Sequence, residues 1–159
     1  MNYKVKKIKI SDSAESFNHT IEMKFEKIGL NNEVIAEAFI KTHKIPSKDL
    51  VNAILDLNME LRVILEIPIE SDRPMVVKQI NFREDEEKGL GIDLQGEIRL
   101  FDSDSPLVFK IPTKWQETDL VTQKMSENLY ELIEEIQLLA NEFLNKERSY
   151  QLDLFNKSA

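Results

Sequence analysis

A short run of alternating charged and polar side chains is the first place where this sequence could support chemistry. Asp93, Gln95, Glu97 and Arg99 occupy every second position of the predicted strand Leu90–Phe101. Because side chains alternate between the two faces of a β-strand, these four residues would share one face. Two carboxylates on one face could hold a divalent cation. Such a face is usually the solvated side of a strand, and we expect that role here.

The order Asp…Glu-x-Arg in this strand resembles the Asp…Glu-x-Lys arrangement of metal-dependent nucleases. It departs from that arrangement in carrying Arg99 in place of lysine and in the very short spacing between Asp93 and Glu97. No partner acid can be identified, and an enzyme would need a cleft that adds a further acid from another strand. We therefore predict a protein without a catalytic site, a cofactor or a bound metal.

Other residues with catalytic potential are sparse. The acidic run Glu84–Glu87 lacks the alternating ligands and central glycine of a calcium loop, so we expect a solvated loop. His19 and His43 have no ligand spacing to each other, and a structural role is expected for both. No glycine-rich phosphate loop is present. Trp115 precedes the last predicted helix and is expected to staple it to the sheet rather than to stack on a base.

The most specific pattern lies near the end of the sequence, where residues 151–155 read Gln-Leu-Asp-Leu-Phe. This segment, here called the C-terminal peptide, resembles the motif that binds the bacterial sliding clamp, the β subunit of DNA polymerase III, at all five positions. The resemblance implies that Gln151 makes polar contacts at the pocket entrance and that Leu152 lies against the groove. It also implies that Asp153 stays largely exposed while Leu154 and Phe155 fill the main hydrophobic pocket.

Two roles remain open for the C-terminal peptide. Apolar side chains on an accessible terminus make good anchors for the preformed pockets of a partner, and only Asn156–Ala159 follow. Alternatively, Leu152, Leu154 and Phe155 fold back onto the domain's own core or onto a sister subunit. A disordered peptide would favour docking, whereas burial of Leu154 and Phe155 would favour the structural role.

The composition is typical of a folded protein with an acidic surface. The chain has 159 residues, of which 42% are hydrophobic, a net charge of −8 and no cysteine. This length fits one domain, and the lack of cysteine excludes disulfides and fits a reducing cytoplasm. The first 50 residues are net basic and the rest are net acidic, so strong direct binding to duplex DNA is not expected. We predict a cytoplasmic protein without a signal peptide or membrane span.

Strand patterns occupy much of the chain. Residues 3–10 slip phase at Lys6-Lys7, which indicates a bulge or an edge strand protected by lysines. Alternation from Phe17 predicts a second strand, and residues 33–42 fit either a strand that returns as a hairpin, which we favour, or a short helix. Three further strands are predicted to form an antiparallel meander, with Gly96 at a bulge or bend: Met75–Phe82, Leu90–Phe101 and Pro106–Ile111.

Two helices are predicted from apolar residues that recur every three or four positions. The first begins after Ser47 as N-cap and ends by Pro68, with the stripe Leu50, Ile54, Leu57, Leu61 and Ile64. The second runs from about Asp119 to Lys146. Its stripe is Val121, Met125, Leu129, Leu132, Ile133, Ile136, Leu139, Ala140 and Phe143. Either stripe could face the core or a second subunit.

These patterns predict one α+β domain over residues 1–147, in which an antiparallel sheet of about five or six strands packs against two long helices. A flexible tail would follow over residues 148–159. The favoured function is a non-enzymatic accessory or regulatory protein that docks on the bacterial sliding clamp in DNA replication, repair or recombination. The resemblance implies a bacterial, phage or mobile-element source. The alternatives are a protein-interaction or assembly domain unrelated to the clamp, including a homodimer, and an acidic DNA mimic.

Overall fold

The structure of the chain is a computed structural model. It describes residues 2–12, 19–44, 46–67, 74–100 and 102–157, without the side chains of residues 12, 19 and 147–157. The strands are β1 (Asn2–Asp12), β2 (His19–Ile28), β3 (Val34–Thr42), β4 (Met75–Asp85), β5 (Gly89–Ile98), β6 (Leu107–Lys110) and β7 (Lys114–Trp115). The helices are α1 (Lys48–Ile64) and α2 (Glu127–Lys157), and a 3₁₀ turn spans Val121–Gln123.

The described strands form one antiparallel sheet with two helices against it. The strand order is β3-β2-β1-β4-β5-β6, and the short β7 also pairs with β5. Helix α1 packs on β4, α2 packs on β1, and the two helices contact each other. The predicted α+β class is therefore confirmed, with seven strands rather than five or six. The predicted pair of long helices is matched only in part, because α1 has 17 residues whereas α2 has 31.

The ambiguous residues 33–42 form a strand. β3 pairs antiparallel with β2, and the turn between them is closed by the Gly29 N–H, which donates to the Glu33 carbonyl at 2.8 Å. Asn32 occupies the left-handed region at φ 59°, which asparagine tolerates better than most residues. The hairpin alternative is thus confirmed, and β3 becomes one edge of the sheet.

The phase slip at Lys6-Lys7 is a β-bulge. The register of β1 against β2 shifts between Val5 and Lys7, and this shift allows both Val5 and Ile8 to face the core. The edge-strand alternative is wrong, because β1 lies between β2 and β4. A second bulge, between Val77 and Gln79 of β4, lies opposite Gly96. A Cβ at Gly96 would lie 2.7 Å from the Val76 carbonyl oxygen, so this approach of the two strands requires glycine.

The first helix begins as its sequence predicts. The Ser47 Oγ accepts a hydrogen bond from the Leu50 N–H at 3.3 Å, which caps one of the free donors of the first turn. Four residues of the predicted stripe are buried and Ile64 is half-buried. The helix therefore packs on its own sheet.

The predicted start of the second helix at Asp119 is wrong. Helix α2 begins at Glu127, where the Ser126 Oγ accepts from the Leu129 N–H at 3.1 Å. Val121, which the predicted stripe placed in the core, is exposed in the 3₁₀ turn. From Met125 to Phe143 the stripe is buried or half-buried. The helix also continues to Lys157 rather than ending at Lys146, so the backbone of the C-terminal peptide is helical.

A short ladder between β1 and β4 joins the two halves of the sheet. These strands pair over only three residues each, Lys7–Lys9 with Gln79–Asn81, and they diverge on both sides. On one side the Gln137 amide accepts from the Val5 N–H at 3.2 Å and donates to the Val5 carbonyl at 2.7 Å. On the other side the Asn58 Oδ1 accepts from the Val77 N–H at 2.9 Å. Side-chain amides from the helices thus replace the missing strand partners.

Replacing Gln137 with alanine is expected to destabilise the fold by about 1–3 kcal/mol, because it leaves both backbone groups of buried Val5 without their partner. Urea unfolding followed by circular dichroism measures the loss. Asn128→Ala is the matched control, since Asn128 is an exposed amide on the same helix and should cost less than about 0.5 kcal/mol. Equal effects of the two substitutions would contradict the bridging role of Gln137.

Candidate partner-binding site

The divergence of β1 from β4 leaves an apolar groove beside α1. It has a volume of about 470 Å³. Its floor is formed by the ends of the diverging strands and its wall by one side of the helix, while Lys44 and Lys78 stand among the lining residues. The apolar lining residues are Ile10, Ile21, Pro46, Val51, Ile54, Leu55, Val76 and Val77.

The groove has the size of a small-ligand or peptide pocket but little polar chemistry. The one side-chain amide in its lining, Asn58, already accepts the Val77 N–H. The charged residues in the described part of its lining are Lys44 and Lys78. The arrangement can therefore bury apolar groups.

A buried carboxylate lies on the sheet face that points away from the helices. Asp93 is only 1% exposed, although its neighbours Ile92 and Leu94 turn toward the core. The Asn81 Nδ2 donates to one Asp93 oxygen at 2.5 Å, and the Arg83 Nε donates to the other at 2.7 Å. Both carboxylate oxygens are thus occupied by neighbours on β4, and this pairing is what permits the burial.

The other residues of the predicted polar face are only partly gathered around Asp93. Gln95 and Glu97 follow it on the same face of β5 and are half-buried, whereas Arg99 lies beyond the end of the strand and is exposed. Among the described residues there is no group of three or more His, Cys, Asp or Glu side chains placed to hold a metal ion. The Asp…Glu-x-Arg pattern therefore does not form a metal cluster with any described acid.

The acidic run spans the end of β4, at Glu84 and Asp85, and the start of the turn to β5, at Glu86 and Glu87. Asp85 Oδ1 accepts from the Glu87 and Lys88 N–H groups at 2.9 and 3.0 Å. The Lys88 N–H, followed by that of Glu87, holds the pKa of the Asp85 carboxyl below its ordinary value. Asp85 therefore closes the turn from the last position of β4. The run is exposed as predicted, but the predicted loop is wrong for Glu84 and Asp85, because the β4 ladder extends through both residues.

Trp115 and His43 both make structural contacts. The ring of Trp115 covers Gly91, where an added Cβ would lie 2.5 Å from two ring carbons. The Trp115 carbonyl accepts from the Met125 N–H at 2.8 Å, so this residue holds the segment before α2 onto the sheet. The His43 Nδ1 lies 3.2 Å from the Thr20 Oγ1. The side chain of His19 lies outside the description.

The C-terminal peptide extends from the end of the helix that the core holds. Helix α2 is buried in the core at Ala140, Phe143 and Leu144, and Lys146 is exposed. The backbone of residues 151–155 continues the same helix. The side chains of Gln151, Leu152, Asp153, Leu154 and Phe155 lie outside the description.

The chain was compared with protein families, curated proteins and solved structures. No family model, curated protein or solved structure matches the chain. Within the described part, no helix is long and apolar enough to cross a membrane. Functional inference therefore rests on the residues and their arrangement.

Several important residues carry no motif. Asn58, Gln137 and Asn141 are ordinary amides in sequence, and Arg83 and Asn81 lie on a different strand from the carboxylate that they bind. The sequence carries one signal for the structural role of two of these amides, which is their position on α2 and α1. Gln137 follows buried Ile133 by four residues, and Asn58 follows buried Ile54 by four, so both amides fall on a buried face.

Replacing the arginine that pairs with Asp93 tests whether this carboxylate has a structural role. Arg83→Ala is expected to lower the free energy of unfolding by about 1–3 kcal/mol, because it leaves one oxygen of a buried carboxylate without its donor. The half-exposed arginine places the effect at the lower end of that range. Urea unfolding is the measurement, and exposed Arg99→Ala, expected to be nearly neutral, is the control. A stability unchanged by Arg83→Ala would contradict the assignment.

Proposed function

We propose that this protein is a non-enzymatic accessory or regulatory protein that docks on a bacterial DNA sliding clamp through Gln151–Phe155. It would act in DNA replication, repair or recombination, or compete with the polymerase for the clamp. The observation that carries the proposal is the five-position match of the C-terminal peptide to the clamp-binding motif. The folded body would then present this peptide to its partner.

The way in which α2 is anchored supports such a presentation. The helix is held along its buried stripe and by the amides of Gln137 and Asn141, which bond the backbone of β1. Leu144 is the last described core residue along this helix, and Lys146 beyond it is exposed. The described core packs around residues up to Leu144. A peptide seven residues further on can bind elsewhere without uncovering that core.

The environment of the other candidate side chains favours a docking protein over an enzyme. Asp93 is held by Arg83 and Asn81, and Asp85 closes a turn. These carboxylates have structural partners of their own. The remaining large feature, the groove beside α1, is lined mainly by apolar residues and suits binding rather than proton transfer.

Docking would change the conformation of the C-terminal peptide. The resemblance places Leu154 and Phe155 together in one pocket, whereas consecutive residues of an α-helix point about 100° apart. The backbone of these residues is helical in the free protein. We therefore expect the last turns of α2 to unwind when the peptide binds, which is inexpensive because helix ends fray readily.

Loss of the two pocket residues is expected to weaken clamp binding strongly. The Leu154→Ala/Phe155→Ala variant should bind a purified bacterial sliding clamp at least about thirtyfold more weakly than the wild type, since each side chain would act as a buried anchor. Isothermal titration of the full chain into the clamp measures both affinities, and circular dichroism checks that the fold is intact.

The matched control changes two residues just outside the motif. Asn156→Ala/Lys157→Ala should leave the affinity within about threefold of wild type, because the resemblance assigns no contact to either residue. The proposal is wrong if the wild type fails to bind, or if the pocket variant binds as tightly as this control. Unfolding of the pocket variant would instead indicate that Leu154 and Phe155 belong to the core.

A proline placed between the core and the peptide tests the unwinding. Ser149→Pro removes one helical donor and clashes with the Asn145 carbonyl, so the helix should end before the C-terminal peptide. We expect this variant to bind the clamp as tightly as the wild type or up to several-fold more tightly, since the unwound state is already populated. Ser149→Ala, which keeps the helix, is the control. Weaker binding by Ser149→Pro than by Ser149→Ala would show that the peptide binds as a helix.

A further inference from the structure

Strand β3 leaves one edge of the sheet open. It occupies the end of the strand order, and among the described elements only β2 pairs with it. Half of its backbone N–H and C=O groups therefore point away from the sheet. An open edge of nine residues can serve as a template for another strand.

The side chains of β3 do little to block such pairing. Val34, Ile35 and Phe39 are 54%, 58% and 63% exposed, so large apolar groups lie uncovered on the strand. Natural edge strands are protected by charged side chains, especially lysine, by proline or by β-bulges. β3 has a single lysine and no proline, and its register shift lies at the end near Val34. The stretch from Ala36 to Thr42 is therefore regular and free of proline, and it can accept another strand.

The charges of β3 are self-complementary. Glu37 and Lys41 flank Phe39 at equal distances and share its sheet face, on which Phe39 lies opposite exposed Lys24 of β2. The Lys41 Nζ lies 3.4 Å from the Glu22 Oε1, so these two side chains form an ion pair. Glu37, in contrast, lies opposite Glu26 and forms no ion pair with any other described residue. Like charges directly opposite each other destabilise a sheet, so Glu37 would gain from an added cation.

We infer that two copies of this chain pair through β3, antiparallel, about a two-fold axis beside Phe39. Each Glu37 then lies directly opposite Lys41 of the second copy, and the two Phe39 side chains meet between these ion pairs. On the other face, each Ala38 lies opposite Ile40 of the second copy. Both residues belong to the half-buried rim of the core, so the apolar surface becomes continuous across the junction. The partner is a second copy because the strand complements itself.

The alternation of side chains excludes neighbouring arrangements. A two-fold axis perpendicular to the sheet pairs each residue with one whose side chain lies on the same face of the sheet. The axis can therefore pass only beside a residue of the strand, and each allowed register places it beside a different residue. An axis at Glu37 or at Lys41 would set two identical charges against each other. An axis at Ala38 or Ile40 would leave both Glu37 and Lys41 without an opposite charge across the junction. Among these five registers, only an axis beside Phe39 gives both opposite-charge pairs.

This dimer is independent of clamp docking. β3 lies at the far edge of the first half of the sheet, and α2 packs on β1. A single strand pair with flanking side chains makes a small interface, so dissociation constants in the micromolar range are expected. Two copies would present two C-terminal peptides on one particle.

Charge reversal tests the pairing and its register together. In sedimentation equilibrium, Glu37→Lys alone and Lys41→Glu alone should each weaken dimerisation at least tenfold, because like charges then flank Phe39 on both sides. The double variant Glu37→Lys/Lys41→Glu should return to within about threefold of the wild type. An equimolar mixture of the two single variants should form a mixed dimer more tightly than either variant alone, since both pairs are again opposite in charge.

A single cysteine tests the register by a second route. The chain has no cysteine, so Phe39→Cys introduces one thiol per copy. Opposed residues of antiparallel strands have Cα atoms about 4.5–5.5 Å apart, within the span of a disulfide. Ile35→Cys is the control, because its two copies would be about 27 Å apart in this register. Mild oxidation should give a covalent dimer at least tenfold faster with Phe39→Cys.

The controls separate pairing from folding and from general charge effects. Circular dichroism should be unchanged in every variant, and Glu142→Lys, at an exposed position of α2, should leave dimerisation unaltered. A wild type that remains monomeric up to several hundred micromolar would overturn the inference. Equal oxidation rates for the two cysteine variants, or a dimer unaffected by the charge reversals, would overturn it as well.

Discussion

The fold depends on hydrogen bonds from helix side chains to strands that have lost their strand neighbours. β1 and β4 join the two halves of the sheet through only three residue pairs. Beyond that ladder, Val5 and Val77 would each leave a buried N–H unpaired, which costs as much as a lost hydrogen bond. Gln137 from α2 and Asn58 from α1 supply the missing acceptors. The helices therefore complete the sheet as well as covering it.

The same construction explains the shape of the surface. A full-length β1–β4 ladder would close the sheet beside α1, whereas the short ladder leaves an apolar groove there. It also fixes the direction of α2, because Gln137 and Asn141 bond to the backbone of β1 one helical turn apart. Helix α2 is thus held rigidly up to Leu144. Those bonds fix the point from which the C-terminal peptide extends relative to the sheet.

Elements with a regular period could be predicted from the sequence, whereas contacts between elements could not. The stripe of α1 and its cap at Ser47 follow from spacing and residue type. The slip at Lys6-Lys7 predicts either a bulge or an edge strand, and the pairing of β1 with both β2 and β4 decides for the bulge. The start of α2 was misplaced because Val121 continues the period, although Ser126 provides the better cap. The partners of Asp93 could not be predicted in full, because the predicted strand ends at Phe82 and leaves Arg83 outside the ladder that places it beside Asp93.

The two proposed surfaces belong to elements that do not depend on each other. β3 is bonded only to β2 among the described strands, and changes at its open edge leave the β1–β4 junction intact. The C-terminal peptide extends from α2, which contacts β1 and α1. A variant that loses one surface should therefore keep the other, because additivity holds for distant sites without shared partners. This separation allows self-association and clamp docking to be assigned to different residues of the chain.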